Sequence, residues 1–351
     1  MTREKILARV RNHEPVEGVD LSGLDLSGLD LTGAVFEAVN LQGANLSGTK
    51  LEEAHFTEVD LSGADLSQAV LTSAVMAGLN LKKAKFFGAV LREADFSGSD
   101  LTGADLTEAD LSEGDFSGTL LVGAVLRGSC LFETTFWEAD LSGADLTGAD
   151  LSGADFTGSN FKGAILKEVR AEKADFSGAD LSELDLSGNH FADADFTGAN
   201  LTGAYLSFCD LSQVDFTEAD LTGAVLERVQ APSADFFKTR MPRVVLKGSY
   251  LKEASFIEAD LTGANLSLCE LEAALFTQAV CQGARFLKTH LLYADFSKAD
   301  LQGADFSYAC LSWAKLHRVK TQRTVFTGAD LKTARGTDPD LAEAEDWQPP
   351  F

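Results

Sequence analysis

The stretch ADLSGADLTGADLSGADFTG, residues 139–158, repeats one five-residue unit four times and decides the fold. The unit keeps its phase from Leu21 to Leu331, where 57 of the 63 residues taken in steps of five are Leu or Phe. A second set of 63, taken in the same steps from Leu24 to Ala334, is Ala at 38 positions. Because a period of five fits neither an α-helix nor a flat strand, the chain must turn after every unit to bring one large and one small residue inside. The exceptions among the large residues are Met76, Ala171, Ala231, Met241, Cys281 and Thr321.

A longer period, of twenty residues, counts the sides of each coil. Phe recurs at this spacing, and Met76 alone interrupts the column. Twenty residues in units of five give four sides per coil, and 63 units give about sixteen coils. At the ~4.8 Å separation of hydrogen-bonded strands, these coils predict a rod roughly 75 Å long. The column comprises Phe36, Phe56, Phe96, Phe116, Phe136, Phe156, Phe176, Phe196, Phe216, Phe236, Phe256, Phe276 and Phe296.

From about Val16 to Ala334 the sequence resembles the pentapeptide-repeat proteins, whose A(D/N)LXX units form a right-handed quadrilateral β-helix. The resemblance implies an all-β fold, a right-handed quadrilateral parallel β-helix of about sixteen four-sided coils. It also implies two kinds of function. Some members of the family are interaction scaffolds, and some bacterial members resemble duplex DNA in shape and charge and bind DNA gyrase. The opening GVDLSGLDLSGLDLTG is similar to acidic repeat proteins found around bacterial type VI secretion systems.

The two ends require separate structures, because a terminal coil exposes an apolar cross-section and an unpaired strand edge. We expect three parts: an N-terminal helical cap at residues 1–15, the repeat β-helix at 16–335, and an acidic C-terminal tail or cap at 336–351. Thr2 is the candidate N-cap of a short capping helix. The apolar residues that share one face of that helix are Ile6, Leu7 and Val10.

The C-terminal segment leaves the repeat and is predicted to form one helical turn. Asp338 or Asp340 starts this turn, which runs through Leu341 to Trp347. Two interpretations stay open: a cap with Trp347 laid on the last coil, or a docking peptide or dimer contact that ends in Phe351.

Composition disfavours several classes of function and location. The formal charge of −25 disfavours direct binding to nucleic acid or to anionic membranes. No apolar stretch is long enough to span a membrane, and MTREKILARVRNHEP lacks the apolar core of a signal peptide. Five scattered cysteines without a CxxC pair predict reduced thiols and a cytoplasmic location. The family resemblance implies that this cytoplasm is bacterial.

We find no motif for chemistry and expect neither an enzyme nor a cofactor or metal site. The histidines are dispersed and are expected at the surface: His13, His55, His190, His290 and His317.

Three further groups of residues depart from the repeat. Among the cysteines, Cys209, Cys269 and Cys281 take inward positions and are expected in the core, whereas Cys130 and Cys310 are expected to face outward. Pro232 and Pro242 remove backbone donors, which makes residues 229–244 the expected irregular stretch. The small centres Ala171 and Ala231 leave room for the wall to bulge or pinch inward.

An acidic ladder follows from the repeat itself. Asp fills 27 of the 63 positions just before a centre, more than the whole net charge. A solubilising surface and functional DNA mimicry both stay open for it. The ladder comprises Asp155, Asp175, Asp195, Asp215 and Asp235.

Large apolar residues at outward positions are better candidates for function, because exposed aromatic clusters are typical interface anchors. One group is Tyr205, Phe208, Val225 and Val245; the other is Leu287, Leu292, Tyr293, Tyr308 and Trp313. The alternative is that such residues stabilise the ladders between coils.

These observations predict a non-enzymatic, rigid protein-binding scaffold or adaptor, with a secretion component as one candidate partner. The alternative is a DNA-mimicking inhibitor or protector of DNA gyrase or another topoisomerase. A homodimer through one terminus also stays open.

Overall fold

The computed structural model describes residues 1–346, in which the repeats fold as coils of a four-sided parallel β-helix. Strands β1 (Val16–Glu17), β2 (Val35–Glu37) and β3 (His55–Thr57) pair in the order β1-β2-β3. Partners lie twenty residues apart, as in Val16 with Phe36. Beyond β3 the ladder continues as isolated parallel bridges with the same step. The predicted right-handed quadrilateral β-helix with a short N-terminal helix is confirmed.

The chain divides into two compact units, Met1–Leu184 and Asp185–Phe351. The first contains helix α1 (Arg3–Arg11) and strands β1 to β3. The second contains coils built only from isolated bridges, followed by helix α2 (Pro339–Asp346). No helix among residues 1–346 is long and apolar enough to cross a membrane.

Each side of a coil ends in the same hydrogen-bonded turn, which explains the polar part of the repeat. In the first coil, Asp20 Oδ1 accepts a hydrogen bond from the Ser22 backbone N–H (3.0 Å), and the Leu24 N–H donates to the Leu21 carbonyl (3.1 Å). Gly23 lies between them with a φ of 64°. Asp and Asn therefore recur because their side chains close the corner, and Gly recurs because it adopts positive φ without steric cost.

The core consists of the repeated large and small residues, with the Phe column stacked inside. In the first unit, Phe96 and Phe116 stack with ring centroids 4.8 Å apart. In the second unit, the centroids of Phe236 and Phe256 are 4.7 Å apart and their planes differ by 1°. A second stack, on the opposite side of the second unit, was not predicted; it comprises Phe286, Phe306 and Phe326.

Helix α1 packs one face against the first coil. Ile6 is fully buried, and Leu7 and Val10 are half-buried, as their shared face predicts. Thr2 occupies the N-cap position, but its side chain makes no capping hydrogen bond. The Arg3 guanidinium instead anchors the helix by donating to the Ser27 carbonyl (2.8 Å).

Helix α2 begins at Pro339, and Asp338 caps it by accepting a hydrogen bond from the Leu341 N–H (3.1 Å). The centres of the preceding coil are less buried than those before it, since Phe326 is half-buried. The predicted contact of Trp347 and the predicted terminal contact of Phe351 lie outside the described residues.

The prediction of an irregular stretch at residues 229–244 is wrong. Its bridges continue unbroken, with Gln230 paired to Tyr250. Pro232 falls on the position directly after a centre, where the N–H bonds an Asp side chain in other repeats and takes no part in the ladder. Its carbonyl still accepts a hydrogen bond from the Gln213 N–H (3.0 Å), so the ladder loses nothing.

Candidate protein-binding surface

The corner residue, two positions after each centre, has positive φ from Gly23 to Gly328 and is filled mainly by Gly, Glu and Lys. Other residues pay about 1–2 kcal/mol for this left-handed conformation. Five described corner residues are large and apolar, and all five belong to the second unit. They are Phe208, Leu268, Tyr293, Tyr308 and Trp313, with φ between 59° and 64°.

The larger group forms what we call the Trp313 surface: Leu268, Leu287, Leu292, Tyr293, Tyr308 and Trp313. Tyr293 and Trp313 occupy the same corner on successive coils, because the Tyr293 N–H donates to the Ser312 carbonyl (3.1 Å). Leu268 lies one coil before Leu287, to whose carbonyl its N–H donates (3.0 Å). The structure thus brings the predicted residues onto consecutive coils and adds Leu268, which sequence reasoning missed.

The Trp313 surface is strongly exposed. The exposed fraction is 61% for Tyr308, 54% for Tyr293 and 44% for Trp313, whereas Leu287 and Leu292 are half-buried. Within residues 1–346 no ring-to-ring contact joins the three aromatic side chains. Much of the apolar area of these side chains is therefore not covered by residues 1–346, which favours a role in contacting another molecule.

Two neighbours orient the aromatic rings. A Cβ atom added to Gly328 would lie 2.8 Å from Tyr308 Cδ1, so this ring rests directly on the glycine backbone. The Arg335 guanidinium carbon lies 5.6 Å from the centre of the Trp313 ring, in cation–π range. These contacts preorganise the surface without covering it.

The smaller group, which we call the Tyr205 surface, comprises Tyr205, Phe208, Val225 and Val245. Tyr205 pairs with Val225, and Val225 pairs with Val245, as parallel bridges on one side. The two valines are half-buried, as ladder residues are expected to be. Phe208 is 61% exposed and has the Arg228 guanidinium carbon 5.8 Å from its ring centre.

The five carboxylates of the acidic ladder accept hydrogen bonds within their own turns. Asp155 and Asp175 pair in the first unit, and Asp195, Asp215 and Asp235 pair in the second. One oxygen of each accepts a backbone hydrogen bond from the second residue after it. None of the five forms an ion pair with a residue in 1–346. The fold thus accounts for one oxygen of each carboxylate, and the other remains free to carry surface charge.

Other aspartates on the repeat are neutralised. Asp145 lies 2.5 Å from Arg127 and is largely buried. Burial opposes its ionisation, but hydrogen bonds from Thr147 and Arg127 outweigh burial and lower its pKa.

Among the candidate chemical residues, one prediction is wrong. His317 is not at the surface but buried, because helix α2 packs over it. No group of three or more His, Cys, Asp or Glu residues in the described part of the chain could hold a metal ion.

The cysteines are all free thiols. Cys209, Cys269 and Cys281 are buried, and burial raises the pKa of Cys209 and Cys269 to about 12. Cys130 and Cys310 are half-buried.

Sequence reasoning also missed exposed apolar residues in the first unit. They replace Asp, Ser or Thr next to a centre, and that substitution is a signal readable from the repeat. Unlike the Trp313 surface, they are distributed over different sides, and none sits at a corner. They are Phe87, Leu120, Val122, Phe132, Trp137 and Ile165.

Comparison with protein families identifies the fold's relatives. The family model described as pentapeptide repeats matches a series of stretches, some of them overlapping, between residues 17 and 307. The chain belongs to the pentapeptide-repeat family. The matched residues are 17–53, 49–88, 89–128, 129–168, 172–207, 190–228, 199–236, 233–267 and 269–307. Among curated proteins, none matches this pentapeptide-repeat protein.

Several solved structures are similar to this pentapeptide-repeat protein. HetL, involved in heterocyst differentiation regulation in the cyanobacterium Nostoc sp. Strain PCC 7120, is 28% identical, with 78% of this chain and 96% of HetL covered and a TM-score of 0.36. QnrB1, a plasmid-mediated fluoroquinolone resistance protein, is 20% identical, with 55% and 91% covered and a TM-score of 0.36. A pentapeptide repeat protein of the Arabidopsis thaliana thylakoid lumen is 26% identical, with 35% and 69% covered and a TM-score of 0.19. TM-scores this low carry no functional argument.

Proposed function

We propose that this pentapeptide-repeat protein is a non-enzymatic protein-binding scaffold and that the Trp313 surface contacts its partner. One observation carries the proposal: large apolar side chains occupy corner positions that favour glycine and remain about half exposed there. The backbone N–H groups of these corner residues bond to the next coil, whereas their side chains project from the corner and stay largely exposed. Exposed aromatic residues on a rigid wall are typical anchors of protein interfaces.

The family resemblance supports one choice of partner. The opening repeats support a component of a bacterial secretion apparatus, located in the cytoplasm with the scaffold. This assignment is part of the proposal, and purification of the complex tests it.

The experiment compares three double variants in an affinity capture, followed by binding measurements with the captured partner after its purification. Trp313→Ala with Tyr293→Ala removes two anchors. Phe132→Ala with Trp137→Ala is the matched control, since these aromatic residues are 42% and 49% exposed but lie in the first unit. Loss of one central aromatic anchor costs about 2 kcal/mol, so we expect at least ~30-fold weaker binding for the first variant. The control should bind as the wild type does.

A second function, DNA mimicry directed at DNA gyrase or another topoisomerase, is favoured by the ladder carboxylates, none of which forms an ion pair within residues 1–346. The third variant, Asp195→Ser with Asp215→Ser, removes two of them while serine can still close each turn. If this variant loses partner binding or gyrase inhibition while the Trp313 variant retains both, the charge surface is the functional one and our proposal fails.

A further inference from the structure

Helix α2 buries none of its residues. Leu341, its only large apolar residue, is 48% exposed. The helix has eight residues, and isolated helices shorter than about 12 residues are marginal in water. The helix is therefore stable only through the contacts that hold it to the neighbouring coils.

Charge on α2 works against the helix itself. The last turn contains no basic residue, and Glu343, Glu345 and Asp346 place three carboxylates near the negative end of the helix dipole. Like charges at this end destabilise a helix. External positive groups must compensate for them.

The compensating groups lie on the coils beneath α2. Glu345 is 2.8 Å from Lys298 Nζ, whose hydrogen bond lowers the pKa of this carboxyl. Asp346 is 2.5 Å from Arg318 Nη2, which also donates to the Ala342 carbonyl (2.6 Å). A single arginine thus pairs with a carboxylate at the end of the helix and donates to a backbone carbonyl in its middle.

His317 adds a polar contact from below. Its Nδ1 accepts a hydrogen bond from the Asp338 backbone N–H (3.1 Å), which assigns the proton to Nε2, 3.3 Å from a Glu345 oxygen. Both nitrogens of the imidazole therefore have partners on the helical segment.

The charge distribution of the whole chain makes this surface unusual. The chain carries −25, yet residues 315–335 contain six Lys or Arg and one acidic residue. Residues 338–346 contain five acidic residues and no base. The acidic helix thus pairs with Arg318 in the most basic stretch of an acidic protein, whereas Lys315 and Lys320 in this stretch pair with Asp295 and Asp300 on the preceding coil.

We propose that α2 is a displaceable internal ligand, and that the basic surface formed by Lys298, His317 and Arg318 binds an acidic helical segment of another protein. Charge complementarity sets the partner's chemistry: carboxylates near the C-terminal end of a short helix, where Glu345 and Asp346 lie in α2. The proposal does not depend on the Trp313 surface.

The test uses the full chain and a fluorescent peptide, TDPDLAEAED, with the sequence of residues 337–346. A release variant, Glu345→Gln with Asp346→Asn, removes the ion pairs from the α2 side and leaves the basic surface intact. The matched control is Glu343→Gln, because Glu343 is exposed and has no ion pair within residues 1–346. Fluorescence anisotropy at low salt measures peptide binding.

We expect the release variant to bind the peptide at least tenfold more tightly than the wild type or the control, since a tethered helix competes at a high effective concentration. Adding Arg318→Gln to the release variant should abolish binding. Unchanged circular dichroism of the coils would show that both proteins are folded. Equal binding by wild type and release variant, or binding that survives Arg318→Gln, would overturn the proposal. A single-stranded oligonucleotide of equal charge binding as tightly as the peptide would also overturn it.

Discussion

Truncating one ring of the Phe column tests the inward and outward assignment most directly. Phe216 is fully buried, and its centroid lies 5.2 Å from that of Phe196 and 5.1 Å from that of Phe236. Phe216→Ala should cost about 3–5 kcal/mol, because the coil cannot collapse around the cavity. Two stacked neighbours contribute about 0.5–1.5 kcal/mol each beyond burial, so Phe216→Leu, which keeps most of the burial, should cost roughly 1–3 kcal/mol.

The control is the adjacent outward residue. Asp215→Ser retains an oxygen that can accept the Thr217 N–H, so it should change stability by less than about 0.5 kcal/mol. Urea unfolding measures the differences, and hydrogen exchange locates them, since a repeat array loses protection near the damaged coil first. Equal destabilisation by Phe216→Ala and Asp215→Ser would refute the assignment of these positions.

Three further outcomes are expected. Iodoacetamide at pH 8 should label Cys310 in the native protein and spare Cys209, because burial raises the pKa of the Cys209 thiol to about 12. Mass spectrometry measures the labelling, and equal labelling of the two cysteines would contradict the burial of Cys209. Gly328→Ala should weaken partner binding, because the added methyl group displaces the Tyr308 ring that rests on this glycine. Gly283 has a similar positive φ and open space around it, so Gly283→Ala should lower the melting temperature and leave partner binding unchanged. The pKa of Asp145 is lowered in the folded state, so its ionised form stabilises the protein above pH 3.8, and this contribution is lost as pH falls through the lowered value; the stability difference between wild type and Asp145→Asn in urea should shrink over that range.

The core of this protein could be predicted from sequence because the burial of one large and one small residue in every unit of five determines which residues face inward. Phe256 had to face inward once the period of five was recognised, and its partner in the next coil had to be twenty residues away. Pro232 could not be predicted as harmless, because that requires knowing which N–H groups the ladder leaves out. His317 was predicted wrongly for a related reason: its burial depends on where α2 docks, and the repeat pattern says nothing about a helix outside it.

The candidate surface was only partly readable. Tyr293 and Trp313 stood out as departures from the repeat, and their shared corner followed from their spacing. Leu268 was missed because leucine is the commonest large residue of the repeat, and only its positive φ in the structure shows that it lies at a corner. The contact of Arg335 with Trp313 depends on side-chain conformation, which periodicity does not encode.

The period of five residues places the core, and the period of twenty aligns the surface columns, which has a consequence for how such a chain can evolve. Loss of five residues would leave every later centre in phase with the core, yet it would rotate all later outward residues by a quarter turn. Loss of twenty would shorten the stack and restore every column. Small insertions and deletions therefore act as rotations of the surface about an unchanged interior, so a lineage can reassign neighbours such as Tyr293 and Trp313 without redesigning what holds the protein together.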